Sequence, residues 1–181
     1  MTIKTNGNII HNRKIDIKTF EGTSDSVIVE GILYDERLVQ TYCEDGVIRP
    51  PGKVHHMIIR MALTGPNLTI EDIEVEMPTI PYEACLETQG CLNRLKGIPI
   101  VAGFTAKVKN LIGGRKGCCH LLSLLTAMAP AAVQGAWSTV IQNPVAQDIY
   151  IDVALQRIQN TCWVWRDDGP LIEEWKEKAK R

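Results

Sequence analysis

The chain has 181 residues, 45% of them hydrophobic and 23% charged, with a formal net charge of -1 at pH 7. A chain of this size and composition buries one sizeable core, which excludes global disorder. The balanced charge gives no electrostatic reason to expect nucleic acid or an anionic membrane as a partner, although Lys107, Lys109, Arg115 and Lys116 cluster locally. No apolar run approaches the ~20 residues that span a bilayer, and the polar start MTIKTNGN lacks the apolar segment of a signal peptide. The expectation is therefore a cytoplasmic protein of one domain over 1–181. Six cysteines (Cys43, Cys85, Cys91, Cys118, Cys119, Cys162) in such a chain read as reduced thiols: core residues, ligands or nucleophiles rather than a disulfide framework.

The first half carries the two-residue period of strands. RKIDIKTF alternates Ile15 and Ile17 with charged residues, and VIVEGILYD continues after the turn-like EGTSDS, so these two segments pair. YCEDGVIRPPGK, with adjacent prolines, reads as a loop. HHMIIRMALT and LTIEDIEVEM flank GPN as a hairpin. In its first strand His55 ends the core-facing row of Met57, Ile59, Met61 and Leu63. In its second, Leu68 and Ile70 fall out of phase with Ile73, Val75 and Met77, which predicts a bulge near Glu71 or Asp72.

The second half carries the longer period of helices. Cys85, Thr88, Leu92 and Leu95 form a helical stripe that Gly97 and Pro99 end. Phe104 to Ile112 makes a short helix closed by a left-handed cap at Gly113–Gly114. From Cys118 the pattern is helical to Met128, and Pro130 either kinks that helix or opens a new one running to Asn143. A further helix runs from Val145 to Asn160, and Leu171 and Trp175 edge a charged terminal helix. The order predicts an α+β fold, an antiparallel sheet from the N-terminal half packed against helices from the C-terminal half. The motif-bearing region spans about 9–140, with a helical extension over 144–181.

GRKGCCHLLSLL, Gly114 to Leu125, is where chemistry concentrates. Gly117 precedes a helix whose first amides lack internal partners, so peptide dipoles, Arg115 and Lys116 all favour a thiolate at Cys118 or Cys119. Such a thiol can bind a soft metal or attack an electrophile, with His120 as second ligand or base. No C-x-x-C pair exists, and Cys85 and Cys91, six residues apart on a helix, diverge by roughly 120°, so they do not share one metal. IGGRKG lacks the Walker spacing, which leaves no signature for a nucleotide cofactor.

The ordered segments HNRKI, VEGILYD, HHMIIRM, PYEACLETQGCLNRLKGIPIVAGF and GGRKGCCHLLSLLTAMAPAAVQ resemble a bacterial domain-of-unknown-function family, DUF2889. The resemblance implies His11, Arg13, Asp35, His55, Cys85, Cys118, His120 and Gln134 as the family's recurring polar positions, and it brings no activity with it. Cys119 stands where that family commonly has threonine, which leaves open which thiol does the chemistry. From His55 to Gln134 the layout is also similar to the iron–sulfur cluster scaffold family. That similarity implies ligands at His55 or His56, Cys85, Cys118 or Cys119, and His120, although the Cys and Asp expected before the hairpin are replaced by KVHHM. A mixed Cys/His set suits zinc, iron or an iron–sulfur cluster.

Each residue also has a plainer reading. Cys85 on an apolar stripe packs as a small hydrophobe. His55 and His56 end a strand, and His11, Arg13 and Asp35 make an ion pair between the first two strands as readily as they bind substrate. Gln134 satisfies carbonyls freed at the proline as readily as it contacts a ligand. The leading expectation is a metal- or cluster-binding protein whose ligands are Cys85, Cys118 or Cys119, His120 and His55. The alternative is a small enzyme acting on a carbonyl or carboxylate compound: Cys118 or Cys119 or a metal would do the chemistry, His120 would move protons, and Arg13, Asp35, His11 and Gln134 would line the substrate. Its partners would be that small molecule, another protein or a second copy of the chain. A third reading is an interaction module whose motif residues only maintain the fold.

Overall fold

The computed structural model describes residues 3–23, 26–43, 46–142, 144 and 147–179. Four strands, β1 (His11–Glu21), β2 (Ser26–Arg37), β5 (Gly52–Thr64) and β6 (Thr69–Thr79), form an antiparallel sheet in the order β1-β2-β5-β6. Side-chain alternation makes the sheet two-faced. Val27, Val29 and Leu33 of β2 and Met57, Ile59, Met61 and Leu63 of β5 are buried on one face, and helices cover it. The expected bulge lies at Glu71, because Leu63 pairs with Ile70 and Ala62 with Asp72. The segment expected as a plain loop contains a two-stranded ladder, β3 (Thr41–Tyr42) with β4 (Ile48–Arg49), which Pro50 and Pro51 keep short.

The helical half departs from expectation in one place and decides two points that the sequence leaves open. Glu83–Leu95 winds as 3-10 rather than α. At three residues per turn, Cys85, Thr88 and Cys91 line up on one side, and Cys91, Leu92 and Leu95 are buried. Cys85 and Cys91 therefore face the same way, not roughly 120° apart, yet lie about 12 Å from one another along the axis, still too far to share a metal. Next comes α1 (Phe104–Ile112), with Phe104, Val108 and Ile112 buried; after it Gly114, not Gly113, takes the left-handed conformation at φ 58°. Finally α2 (Cys119–Ile141) continues without interruption through Pro130, so no new helix begins there. Pro130 sits on the exposed side, where its missing N–H and its ring cost least.

α2 lies across the buried face of the sheet, inserting Leu121, Leu124, Leu125, Met128, Ala129, Ala132 and Ala136. Gly135 permits the close approach, since a Cβ there would overlap the Thr19 side chain of β1. By length and composition alone this 23-residue helix is long and apolar enough to cross a membrane, with an 18-residue window of mean hydropathy 1.3, a test that the core helix of a globular protein also passes. The expectation that no apolar run approaches that length is corrected by this helix, in which Ser, Thr, Gln and Pro interrupt the apolar residues without adding charge. After α2 come α3 (Gln147–Ile158) and α4 (Pro170–Lys178). Asn143 and Val145, expected as helix ends, lie outside the described residues. Trp137 of α2 meets Tyr150 of α3, which meets Trp175 of α4, with ring centroids 5.0 and 5.7 Å apart.

Candidate functional site

Two core-facing rows of the sheet end in polar residues at the same place. On β2 the row Val27, Val29, Gly31, Leu33 ends at Asp35; on β5 the row Leu63, Met61, Ile59, Met57 ends at His55. Antiparallel pairing sets Asp35 opposite His55 on one side and opposite Arg13 of β1 on the other. The β2–β5 register shifts just beyond, between Asp35 and Glu36, so the three side chains meet where the regular ladder stops.

Asp35 is almost fully buried, its side chain 3% exposed, and a buried carboxylate needs partners for its charge. Arg13 supplies a two-pronged one: Nε donates to Oδ1 and Nη2 to Oδ2, each at 2.6 Å. That pairing outweighs desolvation and holds the carboxyl below the ordinary aspartate range. His55 Nδ1 lies 3.1 Å from Oδ2, and His11 Nε2 lies 3.5 Å from Oδ1.

The start of α2 closes the site from above. Gly117 makes this approach possible in extended conformation, because a Cβ there would press on the Ile112 carbonyl at 2.7 Å and the Cys91 sulfur at 2.8 Å. Cys118 is the N-cap residue, and His120, in the first turn of the helix, stacks on His55 with centroids 3.6 Å apart. His120 Nε2 reaches to 3.5 Å of Asp35 Oδ2. Burial first, then His55 and Arg13, push the His120 imidazole below its usual value, so its neutral form is favoured. Its other nitrogen, Nδ1, lies 3.7 Å from Cys118 Sγ and 3.6 Å from Cys119 Sγ.

Among the described residues, Asp35, His55 and His120 form a group of donors within 4.8 Å of one another that could hold a metal ion. His11 and Arg13 border it, and Cys118 and Cys119 stand on the far side of His120. Cys85 is not in the group; it sits half-buried on the 3-10 segment against the core. Gln134 is exposed on α2, about 21 Å along the helix from His120. All six cysteines are free, and Cys91 packs beneath Cys118 with burial pushing its thiol up. Sequence alone makes Asp35 a substrate or ion-pair residue and not a ligand. The signal that joins it to His55 is the shared row-end position, which becomes legible once β2 and β5 are paired.

No curated protein and no solved structure matches the chain. A family model described as a protein of unknown function, DUF2889, matches residues 11–134, more than half of the chain, running from the site's first histidine to Gln134. That stretch holds every residue of the Asp35 cluster, the three strands that carry four of them and the start of α2 that carries His120, and the chain belongs to the DUF2889 family.

Proposed function

We propose that this protein binds one divalent transition metal, zinc or ferrous iron, through Asp35, His55 and His120. The observation that carries the reading is the spacing of donors. In a tetrahedral site with metal–ligand bonds of about 2.0–2.1 Å, donors stand about 3.3–3.4 Å apart. Asp35 Oδ2 lies 3.1 Å from His55 Nδ1 and 3.5 Å from His120 Nε2. Two imidazoles and a carboxylate with a further position open suit both metals, and His120 is biased toward the neutral form that ligation needs.

The thiols then act behind the ligands rather than among them. His120 Nδ1–H faces the Cys118 and Cys119 sulfurs, which fixes the ring with Nε2 turned toward Asp35. A cation at this place sits close to Arg13, and the Asp35 carboxylate between them offsets that repulsion. An iron–sulfur cluster is the weaker version, since Cys85 does not join the group.

Elemental analysis of protein purified without oxygen tests the reading, with about one equivalent of zinc or iron expected. His55→Ala and His120→Ala should abolish retention, and Cys85→Ala should not. Less than a tenth of an equivalent in the unaltered protein would sink it. A cobalt-substituted sample separates the versions, because sulfur-to-metal charge-transfer absorption appears only with thiolate ligands.

A second reading uses the opposite tautomer. If His120 Nε2 carries the proton toward Asp35, Nδ1 is free to take one from Cys119, and Cys119, His120 and Asp35 become nucleophile, base and orienting acid. The exposure of Cys119 favours it. Cys162, also exposed, is an internal reference: alkylation of both thiols at one rate would argue against this reading.

A further inference from the structure

The outer face of the sheet, away from the helices, carries a pattern that a solvated face does not need. Its middle is apolar, with Ile28 and Ile32 of β2 against Ala62 and Ile58 of β5, and Phe20 of β1 stands 48% exposed at one corner. No described helix packs on this face. Across it runs one row of directly paired residues, Lys18, Glu30, Arg60 and Glu74, one from each strand. The signs alternate, plus, minus, plus, minus, so the row read backwards is its own opposite. Arg60 links it within the chain, bonding both Glu30 and Glu76.

We infer that this face is the interface of a homodimer whose two-fold axis runs parallel to the strands, between β2 and β5. That axis lays β1 over the partner's β6 and β2 over the partner's β5. Lys18 then faces the partner's Glu74, and Glu30 faces the partner's Arg60, each pair occurring twice. Ile32 meets the partner's Ile58, and Ile28 the partner's Ala62. A two-fold axis across the strands would instead stack Lys18 on its own copy and Glu30 on its own copy, which like charges oppose. Two pairings along the chosen axis are unfavourable: Asp16 with the partner's Glu76, each already holding a cation of its own chain, Lys18 and Arg60, and Phe20 with the partner's Asp72, which holds Lys96 of its own chain.

Size agrees with charge. Four strands of 11 to 13 residues present a face of roughly 600–700 Å². Standard interfaces take about 800 Å² from each partner, and two twisted sheets stack well face to face. The site at Asp35 lies on the opposite face, so dimerisation is independent of the metal reading.

Sedimentation of the full chain, with and without a chelator, is expected to show a species of twice the 20.2 kDa chain mass in both conditions. Glu30→Arg alone and Arg60→Glu alone each place like charges over one another twice and should weaken association by about 100-fold. Both should stay folded by circular dichroism, since the lost intrachain pair is a surface one. Mixed in equal amounts, the two variants should restore a dimer. The arginine introduced at position 30 of one chain then faces the glutamate introduced at position 60 of the other, and the remaining central pair is the unaltered Arg60 over the unaltered Glu30. A chain that is monomeric up to roughly 0.1 mM overturns the inference. So does a dimer indifferent to the single substitutions, or a mixture that fails to associate.

Discussion

The two ends of α2 are held by different physics. At its N-terminal end His120 enters a polar knot in which each group depends on another: Arg13 and the histidines on Asp35, and His120 on the thiols behind it. At its C-terminal end Trp137, Tyr150 and Trp175 meet ring to ring, with neither charge nor hydrogen bond in the contact. The family match stops at residue 134, between the two. A buried ion network is weak evidence for stability, because desolvation offsets most of its Coulombic gain, whereas aromatic packing stabilises directly. The proposed binding is therefore tested at the polar end, and the contribution to stability at the aromatic end.

Four measurements would break or sharpen that contrast. Asp35→Asn has the largest expected effect: it removes the charge that holds the partly exposed Arg13 guanidinium and the histidines, and should cost about 2–3 kcal/mol in denaturant unfolding, while also abolishing metal retention. Trp137→Ala should cost about 1–3 kcal/mol and leave metal content unchanged, since half-buried rings lose contacts but no ligand moves. If both substitutions altered metal retention equally, the division between the ends would be false.

Acid should separate the ends as well. His120 is held below its ordinary 6.5 in the folded chain, so as pH falls through that value the unfolded chain takes up a proton that the folded one resists. Stability declines from there. His56, lowered by burial and by Lys53, adds to the same window. A second decline starts as pH falls through 3.8, where Asp35 protonates in the unfolded chain before it does in the folded one. Thermal melts between neutral pH and about pH 5 should show the first decline in Trp137→Ala undiminished and in His120→Ala reduced to the His56 part. The smallest effect belongs to Cys119→Ala, with melting nearly unchanged and metal affinity reduced about 10-fold, the usual consequence of losing support behind a ligand.

Local pattern carried much of the fold. Two-residue alternation named all four long strands, and the phase break between Ile70 and Ile73 located the bulge to within a residue. The 3-10 winding of Glu83–Leu95 was harder to see, because a stripe at 85, 88, 92 and 95 fits an α-helix, and the burial of Cys91 beside Leu92 and Leu95 fits one as well. Of the candidate site, His55 and His120 were visible as unusual residues at a strand end and a helix start. Cys85 and Gln134 drew attention by family layout, and the fold leaves them outside the donor group.

Periodicity and residue type, acting over a few neighbours, determined where strands and helices lie, which face of each is apolar, and that polar groups cluster near the start of α2. Tertiary structure alone decided that Asp35 is the hub. Its partners come from positions 11, 13, 55 and 120, and they converge through strand register and through the glycine at 117 that lets α2 descend onto the sheet. Register and close approach are properties of pairs of distant segments, and no window along one segment contains them.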